Sequence, residues 1–350
     1  MKNIWYHIMR SYIKIGLFFL HKKITIFGEE NIPKKGAIIF VGNHQNALID
    51  AILIPTTTNR IIYFLTRASA FVNKPVRNFL ISLNLIPVYR IRDGISTIEK
   101  NLESFNQCFE VLKDEGAIQI FAEGNHDIKR QIRPLKKGFA RIILGTLKKY
   151  PNLKIQIVPV GFNYNSHLNF PSSVSIHYGE PILANNLINI ENHDVRFSKI
   201  IFEVSSALKK LTLHIEDSNN YDEIIHKLNT AKVDYTNLDE VNKLVENIKV
   251  TPSKLIPKEN NFNWLTPIHL IAKLNSIFPL LIWKYLKSSI SDIVFTNTFR
   301  FALITTLFPL FYLIQTAIVY SIFNLKYALI YLVSCILLGI ISTKTMTVNQ

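Results

Sequence analysis

Cysteine is nearly absent: Cys108 and Cys335 are the only two in 350 residues. They lie far apart in dissimilar settings, which argues against a disulfide framework and a cysteine-ligated metal, and fits a catalytic part in a reducing compartment. Acidic residues are scarce beside basic ones, 25 against 40, leaving a formal net charge of +15. Such an excess favours an anionic partner, whether nucleic acid, an anionic membrane surface or a phosphorylated substrate. Charged residues make up only 19% against 48% hydrophobic, enough apolar matter for the core of one α/β domain with an appendage. No repeat or low-complexity tract is present. No small-residue cleavage site follows the apolar stretch Ile13 to Leu20 before His21-Lys22-Lys23, which disfavours a signal peptide.

Ile4, Trp5, Ile8, Met9, Tyr12 and Ile15 share one helical face, with Lys2, Arg10 and Lys14 elsewhere. Residues 1–21 therefore read as an amphipathic, interfacial helix, and a core-facing helix fits the same pattern. Over residues 22–196 short β-rich runs (24–27, 37–41, 61–65, 86–90, 117–121, 155–164, 174–177) alternate with helical stretches (74–83, 96–113, 139–147). This pattern predicts an α/β domain with a largely parallel sheet flanked by helices. In such sheets ligands bind beyond the carboxyl ends of strands. Residues 197–250 read as a solvated helical extension. Residues 251–299 read as a linker marked by Pro252 and Pro257, then an interfacial segment from Trp264 to Trp283 that Lys273 interrupts.

Phe301 to Phe323 and Tyr327 to Ile341 are uncharged and separated only by Asn324 to Lys326. Residues 300–343 are thus expected to form a C-terminal transmembrane helical hairpin; a buried hairpin of a soluble domain is the other reading. Arg300 and Lys344 flank it, with Lys284 and Lys287 upstream, which favours both ends on the cytoplasmic side.

Three polar clusters follow predicted strands. Gly42-Asn43-His44-Gln45-Asn46-Ala47-Leu48-Ile49-Asp50 supplies a histidine, the natural general base near neutral pH, and a carboxylate to fix its tautomer. Asn84-Leu85-Ile86-Pro87-Val88-Tyr89-Arg90 ends in a guanidinium suited to phosphate. Phe121-Ala122-Glu123-Gly124-Asn125-His126 ends a third strand. A basic run, Lys129-Arg130-Gln131-Ile132-Arg133-Pro134-Leu135-Lys136-Lys137, opens the next helix, where backbone amides also favour anions. Pro159 stands within a later apolar strand, where an edge position accounts for it. Taken singly, each cluster also suits a cap, a turn or a solvated face. His126-Asp127 lacks a second ligand at regular spacing, so no metal is expected. The 14 Tyr and 23 Phe read as packing rather than as aromatics interleaved with bases, so no nucleic acid is expected.

In order and spacing these blocks resemble the phospholipid and glycerol-phosphate acyltransferase superfamily over residues 24–181. The resemblance implies that His44 is the general base and Asp50 its partner. It further implies that Arg90 and Glu123-Gly124 bind the glycerol phosphate, and that the donor is a thioester of acyl carrier protein or coenzyme A, with no other cofactor. Where the common pattern has four residues between His and Asp, five separate His44 from Asp50. That places the pair about 240° apart on an ideal helix, so His44 must lie in the turn before it. Asn84 replaces the usual Gly, Ala122 the usual Pro, and Asn125-His126 the usual Thr and Arg. The spacing, His126-Asp127 and Pro134-Leu135-Lys136 before Gly138 are similar to the yeast-type glycerol-3-phosphate acyltransferases. Lys129, Arg130, Arg133, Lys136 and Lys137 are candidates for the missing phosphate contacts. The expectation is a membrane-bound O-acyltransferase of phospholipid biosynthesis. Its partners are the lipid bilayer, glycerol phosphate or a lysophospholipid, and the acyl carrier. It is expected in the cell inner membrane with the catalytic domain facing the cytoplasm. Transfer to another lysolipid or an aminolipid, or a silent membrane-binding scaffold, are the alternatives.

Overall fold

An uninterrupted apolar run, Ala37 to Gly42, builds the middle strand of the sheet, because a strand covered on both faces has no polar face to offer. The computed structural model describes residues 2–89, 97–188, 193–216, 220–250 and 263–347. The chain starts with α1 (Lys2–Leu20), β1 (His21–Phe27), β2 (Ala37–Gly42), α2 (Ala47–Thr57), β3 (Ile62–Arg67) and α3 (Lys74–Ser82). It continues through β4 (Leu85–Val88), α4 (Thr97–Lys113), β5 (Ala117–Phe121), α5 (Gly138–Lys149), β6 (Ile155–Tyr164), β7 (Ser172–Tyr178) and β8 (Ile182–Leu183). Helices α6 (His193–Leu211), α7 (Tyr221–Thr230) and α8 (Leu238–Val250) follow, then α9 (Thr266–Asn275), α10 (Ile277–Ser288), α11 (Thr296–Thr305), α12 (Leu307–Ile322) and α13 (Leu325–Thr345).

The sheet order is β1-β7-β6-β2-β5-β3-β4, with β8 against β6. β6, β2, β5, β3 and β4 run parallel, while β6 pairs antiparallel with β7 and β8. The expected largely parallel sheet is present. Every residue of β2 is buried, as its apolar run requires. The carboxyl ends of the five parallel strands share one edge, so Gly42, Arg67, Val88, Phe121 and Tyr164 all point the chain toward the same region.

Pro159 does not sit on an edge strand, since β6 lies between β2 and β7. Its carbonyl accepts from Gly179 N at 2.9 Å, and a strand residue's N and O point the same way. On that side β6 pairs with β8 at Gln156 and Ile157, and with β7 only from Val160 onward. The missing N–H falls in the gap between partners, so no ladder bond is lost.

One core lies under α4, α5 and α6, the other under α1 and α2. The solvated extension expected over residues 197–250 needs correcting: α6 buries Phe197, Ile200, Val204 and Leu208 in the first core. α7 and α8 form a separate cluster around Leu228, Tyr235 and Val241. The linker expected at residues 251–263 lies outside the described residues up to 262.

α1 has two apolar faces. Tyr6, Leu17 and Leu20 are buried, whereas Ile4, Trp5, Ile8, Tyr12 and Ile15, the face legible in the sequence, remain exposed. Gly16 lets α1 cross α11 closely, since a Cβ there would stand 2.4 Å from Thr305 Cγ2. Pro309 has no N–H for the carbonyl of Thr305, which breaks the helix between α11 and α12. Tyr12 Oη donates to that freed carbonyl. The segment expected to span as one helix from Phe301 is therefore interrupted at Thr306, and Phe301 is buried in the second core.

Residues 293–322 and 325–345 are long and apolar enough to cross a membrane. The cations that flank them, Arg300 and Lys344, are both bound to protein. Arg300 is buried and donates from Nη2 to Leu168 O at 3.0 Å. Lys344 Nζ donates to Phe18 O and His21 O, each at 2.8 Å, where a cation suits the end of α1.

Candidate active site

Gly42 ends β2, and Asn43 extends its pairing through a side-chain amide. Nδ2 donates to Phe162 O at 3.1 Å and Oδ1 accepts from Phe162 N at 2.8 Å. The chain then leaves the sheet, so His44 lies in the turn before α2. Asp50, in the first turn of α2, is fully buried. Its Oδ2 accepts from Gln45 N at 2.8 Å, Asn46 N at 2.7 Å and His44 Nδ1 at 2.9 Å. Its Oδ1 accepts from Tyr164 Oη at 2.6 Å. The extra residue in the spacing is absorbed here: the turn wraps two successive amides onto the carboxylate, and Ala47 takes a left-handed φ of 37° to close it. Such a conformation costs about 1–2 kcal/mol; four bonds to a buried carboxylate offset it.

Because Asp50 accepts only, Nδ1 of His44 carries the hydrogen and the neutral ring presents Nε2 as its acceptor. The ring is held flat against Phe121, with centroids 4.0 Å apart and planes at 6°, and His126 meets its edge at 5.5 Å. Burial, then the nearby His44, push the His126 pKa down. His126 also packs against Phe295 at 4.9 Å, immediately before α11. Burial pushes the Tyr164 hydroxyl well above its usual pKa, and the Asp50 charge adds to this, so the tyrosine stays a donor.

Glu123 and Gly124 lie in the loop after β5. Gly124 takes φ 78°, where a side chain is strained. Asp127 N donates to His44 O at 3.0 Å and Lys136 N to Ala122 O at 2.7 Å, which anchors the loop at both ends. Glu123 is buried, and burial raises its pKa against the opposing pull of Arg133. Arg133 donates to it from N, Nε and Nη2 and grips Asn125 Oδ1 and O.

The basic run therefore divides. Lys129, Lys136 and Lys137 are exposed. Arg133 is engaged with Glu123 and Asn125, and Glu123 is its counter-ion. Arg130 is buried, stacks 3.5 Å over the Tyr235 ring and donates from Nη2 to Asn165 O at 3.3 Å. It ties the loop to α7, where its N donates to Tyr221 Oη at 2.8 Å, and to the segment between α7 and α8. Arg90 lies outside the described residues. Asn84, in place of glycine, takes φ 64°, a region asparagine tolerates better than most residues.

Three residues near the histidine, Tyr164, His167 and Arg67, had no sequence motif to mark them, and Gln45 lay inside the histidine motif with no role assigned. Tyr164 holds Asp50. Gln45 donates from Nε2 to Lys129 O at 2.8 Å, and its Oε1 lies 3.2 Å from His167 Nε2. Arg67, exposed at the carboxyl end of β3, is close enough for its charge to lower the His126 pKa.

Tyr164→Phe is expected to destabilise the protein by about 2 kcal/mol, the scale of a buried bond to a charged acceptor; thermal unfolding measures it. Arg133→Lys, which cannot fork onto Glu123 and Asn125, is expected to cost about 2–4 kcal/mol by leaving buried polar groups unmatched. An unchanged melting temperature in either variant contradicts these assignments.

Residues 23–163 match the family model described as Acyltransferase, so the chain carries an acyltransferase-family domain. Glycerol-3-phosphate O-acyltransferase 2 of Saccharomyces cerevisiae is 29% identical over 128 residues, 36% of this chain and 17% of that protein. The 1-acyl-sn-glycerol-3-phosphate acyltransferase of Borreliella burgdorferi is 32% identical over 139 residues, 40% of this chain and 53% of that protein. The chain thus spans about half or less of the length of these relatives. The crystal structure of the lysophosphatidate acyltransferase PlsC from Thermotoga maritima aligns with a TM-score of 0.46 and 18% identity, covering 60% of this chain and 80% of that one.

Proposed function

We propose that the protein transfers a fatty acyl group from an acyl thioester to a hydroxyl of glycerol 3-phosphate or lysophosphatidate at a membrane surface. The observation that carries this reading is the His44–Asp50 pair, bonded at 2.9 Å at the carboxyl edge of the sheet of an acyltransferase-family domain. His44 Nε2 takes the proton from the acceptor hydroxyl, and Asp50 stabilises the imidazolium. The hydroxyl oxygen attacks the thioester carbonyl, and the tetrahedral intermediate collapses to ester and thiolate. The thiolate recovers the proton from His44. No serine or cysteine adjoins His44 in the sequence, so transfer is direct. The phosphate is held by Lys129, Lys136, Lys137 and Arg67, with Arg90.

The site stands next to the apolar helices. His126 links His44 to Phe295, and Asn297 Nδ2 donates to His167 O at 2.9 Å, joining α11 to the Gln45 side of the site. Acceptor and donor therefore meet at the bilayer surface, where anchoring raises their effective concentration. The catalytic domain faces the cytoplasm, the donor is acyl-CoA or acyl carrier protein, and the membrane is the cell's inner one.

The test offers purified protein in liposomes both acceptors and both donor carriers, and resolves the lipid products. Phosphatidate from lysophosphatidate, or lysophosphatidate from glycerol 3-phosphate, is the expected result and names the acceptor. Transfer only to a non-phosphorylated acceptor contradicts the phosphate assignment; no transfer to any lipid acceptor contradicts the function.

A further inference from the structure

α9 and α10 meet at an 83° bend. Its cause is Pro279, which has no N–H for the carbonyl of Asn275 four residues earlier, so one helix cannot run through. That freed carbonyl accepts from Gln315 Nε2 of α12 at 3.3 Å. The polar side chains at the bend are matched in the same way. Asn275 Oδ1 accepts from Tyr331 Oη at 2.7 Å, and Asn275 Nδ2 donates to Cys335 Sγ at 3.3 Å. Ser276 Oγ and Tyr312 Oη share a bond of 2.7 Å. In water the bend needs none of these partners. In lipid, broken helices persist only where neighbours satisfy the freed groups.

The position of the bend agrees. Near its start, α9 sits beside the end of α13: Asn263 Nδ2 donates to Thr345 O at 2.9 Å, and His269 Nε2 lies 2.8 Å from Thr345 Oγ1. It then descends to Cys335, the middle residue of the 21-residue α13, about 15 Å from either end. That is half of a hydrocarbon core about 30 Å thick. α10 returns toward the base of α11, where Arg300 lies 4.8 Å over the Trp283 ring. Along the pair, Leu270, Leu274, Ile277, Phe278 and Leu281 are exposed, and Lys284 and Lys287 fall at the returning end. Lys273, just before the bend, leans toward the N-terminus of α9, as helical side chains do, and so back toward the interface.

We infer that α9–α10 is a re-entrant hairpin that enters the bilayer beside α12 and α13, turns at Asn275–Ser276 near mid-depth, and leaves on the side it entered. Its partner is the acyl-chain region of the lipid. The inference rests on the reading that α12 and α13 span the membrane, and the test separates the two.

Both native cysteines are buried, so single cysteines can be added to the full chain in sealed liposomes. Spin labels at Leu274→Cys and Phe278→Cys are expected to be open to oxygen and lose access to a water-soluble nickel chelate. An impermeant thiol reagent should reach Trp264→Cys and Lys287→Cys from one face and Lys326→Cys only from the other. If Lys326→Cys reacts on the same face as the other two, the spanning reading falls and the inference with it. With Lys326→Cys opposite, nickel access at both labels means that α9–α10 lies on the surface. Trp264→Cys and Lys287→Cys on opposite faces means one broken span. Either result overturns the inference alone.

Discussion

His44→Ala protein is expected to fold normally and to lose acyl transfer by about 10²- to 10⁴-fold, the range supplied by one positioned general base. That fall corresponds to about 3–5 kcal/mol of barrier. The histidine is partly exposed, with 16% of its side chain accessible, and its only hydrogen bond in the dyad runs to a carboxylate that has three other donors. Removing the ring therefore leaves Asp50 matched and the turn closed. The measurement is initial rate against melting temperature. A large rate loss at an unchanged melting temperature is the expected pair of results; parallel loss of both assigns His44 a structural role instead.

Asp50→Ala is expected to do both kinds of damage. It leaves Gln45 N, Asn46 N and Tyr164 Oη without their acceptor at a buried position, and each unmatched group costs about 1–3 kcal/mol. Destabilisation on the order of 3–5 kcal/mol follows, together with loss of activity. Asp50→Asn separates the two. The amide nearly preserves shape but turns an NH2 toward at least one donor, and it no longer fixes the Nδ1–H tautomer or stabilises the imidazolium. Its activity is expected to fall well over tenfold further than its population of folded protein. Thermal unfolding and transfer rates on the same samples decide this, and full activity in Asp50→Asn contradicts the dyad.

Much of this was legible in residue order. β2 is a wholly apolar run and β6 a mostly apolar one, and both are visible as strands from hydrophobicity. The His44–Asp50 spacing excludes one straight helix, which forces the histidine into the turn where it stands. Other features have no signature along the chain. Tyr164 reaches Asp50 from 114 residues away, and a tyrosine ending an apolar strand is unremarkable by composition. In α6 the buried residues Phe197, Ile200, Val204 and Leu208 form a narrow stripe among charged neighbours, which resembles a solvated helix. A run of five basic residues does not reveal which turn inward: Arg130 and Arg133 are captured by Tyr235 and Glu123, partners that only the fold brings near. The Asn84 departure became intelligible only through its φ of 64°.

Acceptor-dependent thiol release tests the central claim most directly. Protein in liposomes, given a long-chain acyl thioester, should release free thiol only after glycerol 3-phosphate or lysophosphatidate is added, mole for mole with the ester formed. The same protein carrying His44→Ala should release almost none. Thiol released without acceptor, or ester formed undiminished by the His44→Ala variant, contradicts direct transfer by this histidine.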